Sequence, residues 1–133
     1  MTNKKIILPD GLTHKGLEVG IPTGKPIDLD KLEYLIEFIE TYFKPRLSIC
    51  YNHSSPGLKH LVERCFNYDI YVSNGEIIAA MLLCGYQYVK ISANSTNCRF
   101  NVCRISKKKE KIIMSEILHS KKKKKKHGKQ LFN

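Results

Sequence analysis

No apolar run in the sequence reaches the ~18 residues that a membrane-spanning helix needs, so a transmembrane protein is excluded and no membrane partner is expected. No secretory signal is expected either. Met1-Thr2-Asn3-Lys4-Lys5 starts basic, but Pro9 and Asp10 arrive before an apolar stretch can develop. The cysteines Cys50, Cys65, Cys84, Cys98 and Cys103 are odd in number and form no Cys-x-x-Cys pair. With no export signal they read as free, mostly buried thiols of a reducing cytosol. Cys98 and Cys103 lie five apart, so on one strand they would point to opposite faces. Cytoplasmic location is the expectation, with the nucleus as the alternative in a eukaryotic host.

Recognisable catalytic and cofactor motifs are equally scarce. The chain has no Gly-rich phosphate loop, no nucleophile elbow and no paired-histidine helix motif. His60 and Glu63 can share a helix face, with His53 upstream, but zinc sites normally draw on more ligands at tighter, paired spacing. As a base and its orienting group the same pair has no evident nucleophile to serve. No metal, no cofactor and no enzymatic activity are expected.

The chain does have lysine. It holds 23 Lys+Arg against 12 Asp+Glu in 133 residues, a net charge of +11. Residues 107–133 contribute eleven lysines against Glu110 and Glu116, a net of +9, whereas residues 1–106 carry only +2. The run Lys121, Lys122, Lys123, Lys124, Lys125 and Lys126 reads either as a solvated, self-repelling tail or as an electrostatic arm for phosphate backbones, or an import signal. Such a run supplies affinity for any polyanion without base specificity. At 15.3 kDa and 42% hydrophobic residues the rest suffices for one core.

Along the chain, residues 1–27 are punctuated by Gly11, Gly16, Gly20, Gly24, Pro9, Pro22 and Pro26 and read as an irregular arm, with Ile6-Ile7-Leu8 available to pack on the body. Asp28 or Asp30 can cap a first helix, Asp30 and Glu33 standing at capping-box spacing. Leu32, Leu35, Ile36, Ile39, Tyr42 and Phe43 repeat at helical spacing, and Pro45 ends the run. Alternation over Arg46–Tyr51 predicts a short strand. Ser54 and Pro56 open a second helix, with Leu58, Leu61, Val62, Cys65 and Phe66 inward and Lys59, His60, Glu63 and Arg64 outward. Ser73 and Glu76 form a capping box for a third helix through Cys84, apolar nearly all round and therefore buried, which Gly85 stops. Tyr86–Ile91 and Cys98–Ile105 flank a polar loop and predict a hairpin with Phe100 inward. Ile112, Ile113 and Ile117 allow a short amphipathic helix at best before low-complexity sequence from His119.

Helix, strand, helix, helix, strand, loop, strand over residues 28–105 resembles the element order of a winged helix-turn-helix. The expected fold is therefore α+β, with three helices packed on a small antiparallel sheet. Residues 1–27 form a flexible N-terminal arm, 28–106 the winged-helix-like domain and 107–133 a disordered, lysine-rich tail. The phrases Ser55-Pro56-Gly57-Leu58-Lys59-His60-Leu61-Val62-Glu63, Tyr71-Val72-Ser73-Asn74-Gly75-Glu76-Ile77-Ile78-Ala79-Ala80 and Asn97-Cys98-Arg99-Phe100-Asn101-Val102 resemble small uncharacterised proteins of bacteria and their mobile elements. That resemblance carries over no catalytic or binding residue.

A groove-reading third helix should present Arg, Lys, Asn or Gln. This one offers Asn74, Glu76 and small residues, with no Lys or Arg between Arg64 and Lys90. The candidates for nucleic-acid contact on the body are accordingly Lys59, His60 and Arg64 on the second helix, and Lys90, Asn94, Thr96, Asn97 and Arg99 around the loop of the wing. Ordinary solvated positions are the competing explanation for them. The resulting expectation is a small nucleic-acid-binding protein, with DNA ahead of RNA as partner and the lysine tail supplying non-specific affinity. The alternative is a protein-interaction module, favoured by the acidic stripe Glu33, Glu37 and Glu40.

Overall fold

Asp28 begins the helical part of the chain. Its carboxylate accepts a hydrogen bond from the amide of Asp30 (3.1 Å) and starts a 3₁₀ turn, Leu29–Leu32. The turn leads into helix α1, Glu33–Tyr42. Asp30 lies in the first turn, where its charge suits the positive end of the helix dipole. Leu32, Leu35 and Ile39 are buried as the spacing predicts, and Phe38 joins them. The Phe38 ring meets Tyr42, Phe43 and Phe66 at centroid distances of 5.1, 5.6 and 5.6 Å.

Helix α2, Ser55–Cys65, is capped by Ser54, whose hydroxyl accepts from the amide of Gly57 (3.2 Å). Its apolar stripe is buried, but Glu63 is buried with it, contrary to the outward placement predicted. The cause is the connection after the helix. Asn67 and Tyr68 take left-handed φ values of 53° and 60° and fold the chain back. The amide of Val72 then donates to the Glu63 carboxylate at 3.1 Å.

Helix α3, Asn74–Leu83, has both bonds of its capping box: the Glu76 amide donates to the Ser73 hydroxyl, and the Ser73 amide donates to the Glu76 carboxylate. Gly75 and Ile77 to Leu82 are buried, so α3 is the centre of the fold. Gly85, at φ +91°, ends the run with a backbone conformation that side chains disfavour.

The strand predicted over Arg46–Tyr51 is not a ladder strand. The segment does run beside the predicted hairpin: the Arg46 amide donates to Asn101 O and the Cys50 amide to Phe100 O, both at 2.9 Å. A single bridge joins Pro45 to Val102. Regular pairing fails because Pro45 has no amide hydrogen to donate. In addition, the Arg46 guanidinium donates to the carbonyls of Ser48 and Ile49 and curls the chain.

The computed structural model describes residues 7–131, with side chains through residue 120. Among these residues the architecture is mixed α+β, with four α-helices and two small antiparallel sheets. One sheet pairs β1, Leu12–Thr13, with β2, Gly16–Leu17. The other is the predicted hairpin, β3 (Tyr88–Lys90) with β4 (Cys98–Phe100), which sets Tyr88 opposite Phe100 and Lys90 opposite Cys98. Phe100 is fully buried.

Both ends of the chain depart from the sequence expectation. Instead of a loose arm, β1 and β2 sit on the N-terminus of α3. The Gly75 amide donates to His14 O (3.1 Å), and the Leu17 amide to Thr96 O (2.9 Å). Leu8 packs against the core and Ile7 is exposed, while Ile6 lies outside the described residues. Instead of a disordered tail, helix α4 spans Lys107–Leu131. The Ser106 hydroxyl accepts from the Lys109 amide (3.1 Å) as its cap, and Ile113 is buried against the body. Among the described residues no helix is long and apolar enough to cross a membrane.

Candidate functional site

The two cations expected on the outer face of α2 are both engaged. Lys59 Nζ lies 3.2 Å from Glu63 Oε1 and 5.0 Å from the centroid of the Tyr71 ring. Arg64 makes a two-pronged ion pair with Glu110 of α4, at 2.9 Å from Nε and 2.8 Å from Nη2. The forked geometry matches guanidinium to carboxylate, and it holds the Glu110 carboxyl below its usual range. The two residues thus point to different neighbours, Lys59 toward Tyr71 and Arg64 toward α4, and form no common basic face.

On the β3–β4 hairpin, Lys90 Nζ donates to Ala93 O at 3.0 Å, bracing its own loop. Asn94 is exposed at the loop tip. The Arg99 guanidinium stands 5.4 Å from the Tyr51 ring centroid, and its Nε is buried with no hydrogen-bond partner among the described residues. Asn97 and Thr96 are drawn inward by Asn74, whose side-chain amide donates to Asn97 Oδ1 (2.9 Å), Lys15 O (3.0 Å) and Thr96 O (3.3 Å). The Asn74 amide therefore knits the N-terminal hairpin, the start of α3 and the β3–β4 loop together. This closes the N-terminus of α3 to a ligand. The side chains of Lys121, Lys122, Lys123, Lys124, Lys125 and Lys126 lie outside the described residues, although α4 includes those positions.

Sequence reasoning missed a cleft of about 670 Å³ between α2 and α4, lined by His53, Arg64, Arg104, Lys107, Glu110 and Lys111 with Leu61 and Met114 among its apolar walls. Four cations meet a single carboxylate here, and that carboxylate is already in the fork of Arg64. His53 fastens the mouth of the cleft: its Nε2 accepts from the amide of Ile105 at 2.9 Å. An accepting Nε2 leaves the ring hydrogen on Nδ1 and the imidazole neutral. Burial, and then the nearby Arg104 charge, push the His53 pKa below its ordinary 6.5. In the sequence Arg104 looks like the end of the hairpin, and Lys107 and Lys111 like the first residues of a tail. Only the docking of α4 through Ile113 and Glu110 brings them next to His53.

A second concavity, about 360 Å³, runs between α1 and α4 over Tyr34, Phe38, Tyr42, Phe66 and Ile117, with Glu37 at its rim. The cysteines offer little chemistry. All five are free, and burial pushes Cys65 and Cys98 up to about 12 and Cys84 to about 11, which keeps these thiols protonated and inert. Among the described residues no group of three His, Cys, Asp or Glu side chains could hold a metal ion. Comparison with protein-family models, curated proteins and solved structures found no match to this chain.

Proposed function

We propose that this chain is a non-enzymatic nucleic-acid-binding protein, a winged-helix-like body whose fourth helix presents the charge. One observation carries the reading: among the described residues the cations of α2 and the wing are largely taken up internally, whereas those at and just before the start of α4 make no ion pair. Arg104, Lys107, Lys108 and Lys111 are exposed, and α4 runs on through the positions of Lys121 to Lys126. A row of cations along one helix neutralises successive phosphates and releases their counterions, with no bond made or broken. The winged-helix description is supported by the run of residues 44–50 along β4, with α2 and α3 intervening before the β3–β4 hairpin. In this version of the plan α3 is not the reading helix, because the N-terminal hairpin covers its start. Contacts are therefore to backbone rather than bases, DNA is the first partner to test ahead of RNA, and the cytoplasm, or a eukaryotic nucleus, is the compartment that fits.

The test is fluorescence anisotropy with a labelled duplex across a salt series, on the native chain and on a variant with all six of Lys121 to Lys126 changed to Gln. The expected result is a steep salt dependence in the native chain, falling by about 0.9 in log–log slope for each phosphate contact removed. Absence of binding by the native chain at low salt sinks the proposal. A second reading, a protein-interaction module, is favoured by the α1–α4 concavity with Glu37 at its rim and by the exposed carboxylates Glu33 and Glu40 on the same helix. Acidic stripes are poor neighbours for DNA, so this face and the α2–α4 cleft serve different partners if both are used.

A further inference from the structure

We infer that the cleft between α2 and α4 is a phosphate-binding site, in which the body seats one phosphate of its nucleic acid; the inference rests on the nucleic-acid reading above. Three features converge there. Arg104, Lys107 and Lys111 line the cleft, and none of them makes an ion pair among the described residues, in contrast to Lys59 and Arg64.

The N-terminus of α4 opens at the same place, since Lys107 begins the helix and Lys107, Glu110 and Lys111 all line the cleft. A helix start carries amide hydrogens without partners inside the helix and a partial positive charge, which suits an anion. Ser106 takes up the Lys109 amide with its hydroxyl and the Glu110 amide with its carbonyl, which leaves the Lys107 and Lys108 amides without a hydrogen-bond partner among the described residues.

The third feature is His53. Its neutral ring lines the cleft and is fixed by the Ile105 amide, so it offers a polar wall there without another charge. The one carboxylate present would oppose an anion if it were free. Both Glu110 oxygens are instead held by the Arg64 fork. At about 670 Å³ the space is large enough for a phosphate with its attached sugar. A terminal phosphate monoester, an internal diester and free phosphate share this chemistry, and the experiment separates them.

The native chain is first titrated with inorganic phosphate at constant ionic strength and followed by ¹H–¹⁵N NMR. Saturable shifts confined to the Ile105, Lys107 and Lys108 amides and the His53 ring are expected. Labelled duplexes with a 5′-phosphate or a 5′-hydroxyl are then bound to two variants of equal charge. One is Arg104→Gln, Lys107→Gln, Lys111→Gln, and the other is Lys122→Gln, Lys123→Gln, Lys124→Gln. Because the first three side chains are exposed, both variants should keep native helicity by circular dichroism. The cleft variant is expected to lose the phosphate response and to bind duplex about tenfold more weakly than the tail variant. A preference for the 5′-phosphate assigns the site to chain ends, and equal binding of the two duplexes assigns it to internal diesters. Phosphate shifts that never saturate, together with equal losses in the two variants, overturn the site and leave nucleic-acid binding to the lysine run. Saturable phosphate binding in a native chain that binds no duplex upholds the cleft as a site for a free phosphate compound and overturns the nucleic-acid reading instead.

Discussion

The two ends of this chain both add an element to the same helical body, but they attach by different physics. The N-terminal hairpin is fixed by backbone fit. His14 O accepts from the Gly75 amide, Thr96 O from the Leu17 amide, and Gly75 lies so close to the Thr13 carbonyl that a β-carbon there would run into it. Helix α4 is fixed instead by side chains, chiefly the buried Ile113 with Ile117 packed beside it and the ion pair of Arg64 with Glu110. Close backbone packing gives the first attachment little room to move. The second leaves most of residues 107–120 in solvent, and the first turns of α4 line a basic cleft. One end covers the N-terminus of α3, and the other borders an open cleft.

Removing the apolar anchor of α4 should have the largest effect. Ile113 is 1% exposed, so Ile113→Ala removes packing and leaves a void, a change that typically costs about 2–5 kcal/mol. A urea titration followed by circular dichroism measures the loss, and helicity should fall before the core unfolds. If helicity and core are lost together without change in midpoint, Ile113 does not hold α4 to the body.

The matching break at the other end is Gly75→Ala. The added carbon meets the Thr13 carbonyl and the Ile27 side chain, and overpacking of this kind costs about 1–3 kcal/mol. Hydrogen exchange gives the local readout: the Leu17 amide, bonded to Thr96 O, should lose protection while amides within α3 keep theirs. Equal loss at both would show that the hairpin and α3 unfold as one unit.

How much of this was legible beforehand follows from the kind of interaction involved. Helix caps are local and depend on residues three apart, so Ser54, Ser73 with Glu76, and Gly85 could be read directly. The polar loop between β3 and β4 and the inward Phe100 follow from period-two alternation. Residues whose role comes from a distant partner could not be read. Glu63 looks like a surface glutamate until the left-handed Asn67 and Tyr68 return the Val72 amide to it. Glu110 looks like a stray acid in a lysine run until Arg64, 46 positions away, is found in its fork. The candidate site depends on that same long-range docking. Periodicity found Arg64, but its neighbours in the cleft come from three other parts of the chain.

A smaller effect is expected from the ion pair itself. Arg64 is 41% exposed in its side chain and Glu110 16%, so solvent screens the pair and its coupling should not exceed about 1 kcal/mol. A double-mutant cycle with Arg64→Gln and Glu110→Gln, read by urea denaturation at two salt concentrations, measures it. The coupling should shrink at high salt. A coupling independent of salt would mean that the fork is held by packing rather than charge.

The finest distinction between the two ends is their response to acid. The Glu18 carboxylate accepts from the Thr13 and Thr23 hydroxyls and from the Thr23 and Gly24 amides. The Thr13 hydroxyl and these amides hold its pKa near 2, against an ordinary 4.5. His53 at the α4 end is also lowered, from 6.5, by burial and by Arg104. In both cases the unfolded chain binds a proton more readily than the folded one, so both groups contribute stability that is lost as the pH falls. The windows differ. His53 begins to cost stability below its unfolded value of 6.5, where protonation would also break the bond from the Ile105 amide. Glu18 holds until the pH drops below 4.5 and fails toward 2. Amide exchange followed down a pH series, with intrinsic rates divided out, should therefore loosen Ile105 and the start of α4 first and the Gly24 amide later. His53→Gln should remove the earlier step and leave the later one, and Glu18→Gln should do the reverse. If a single substitution abolished both steps, the two ends would be coupled through the body rather than attached to it independently.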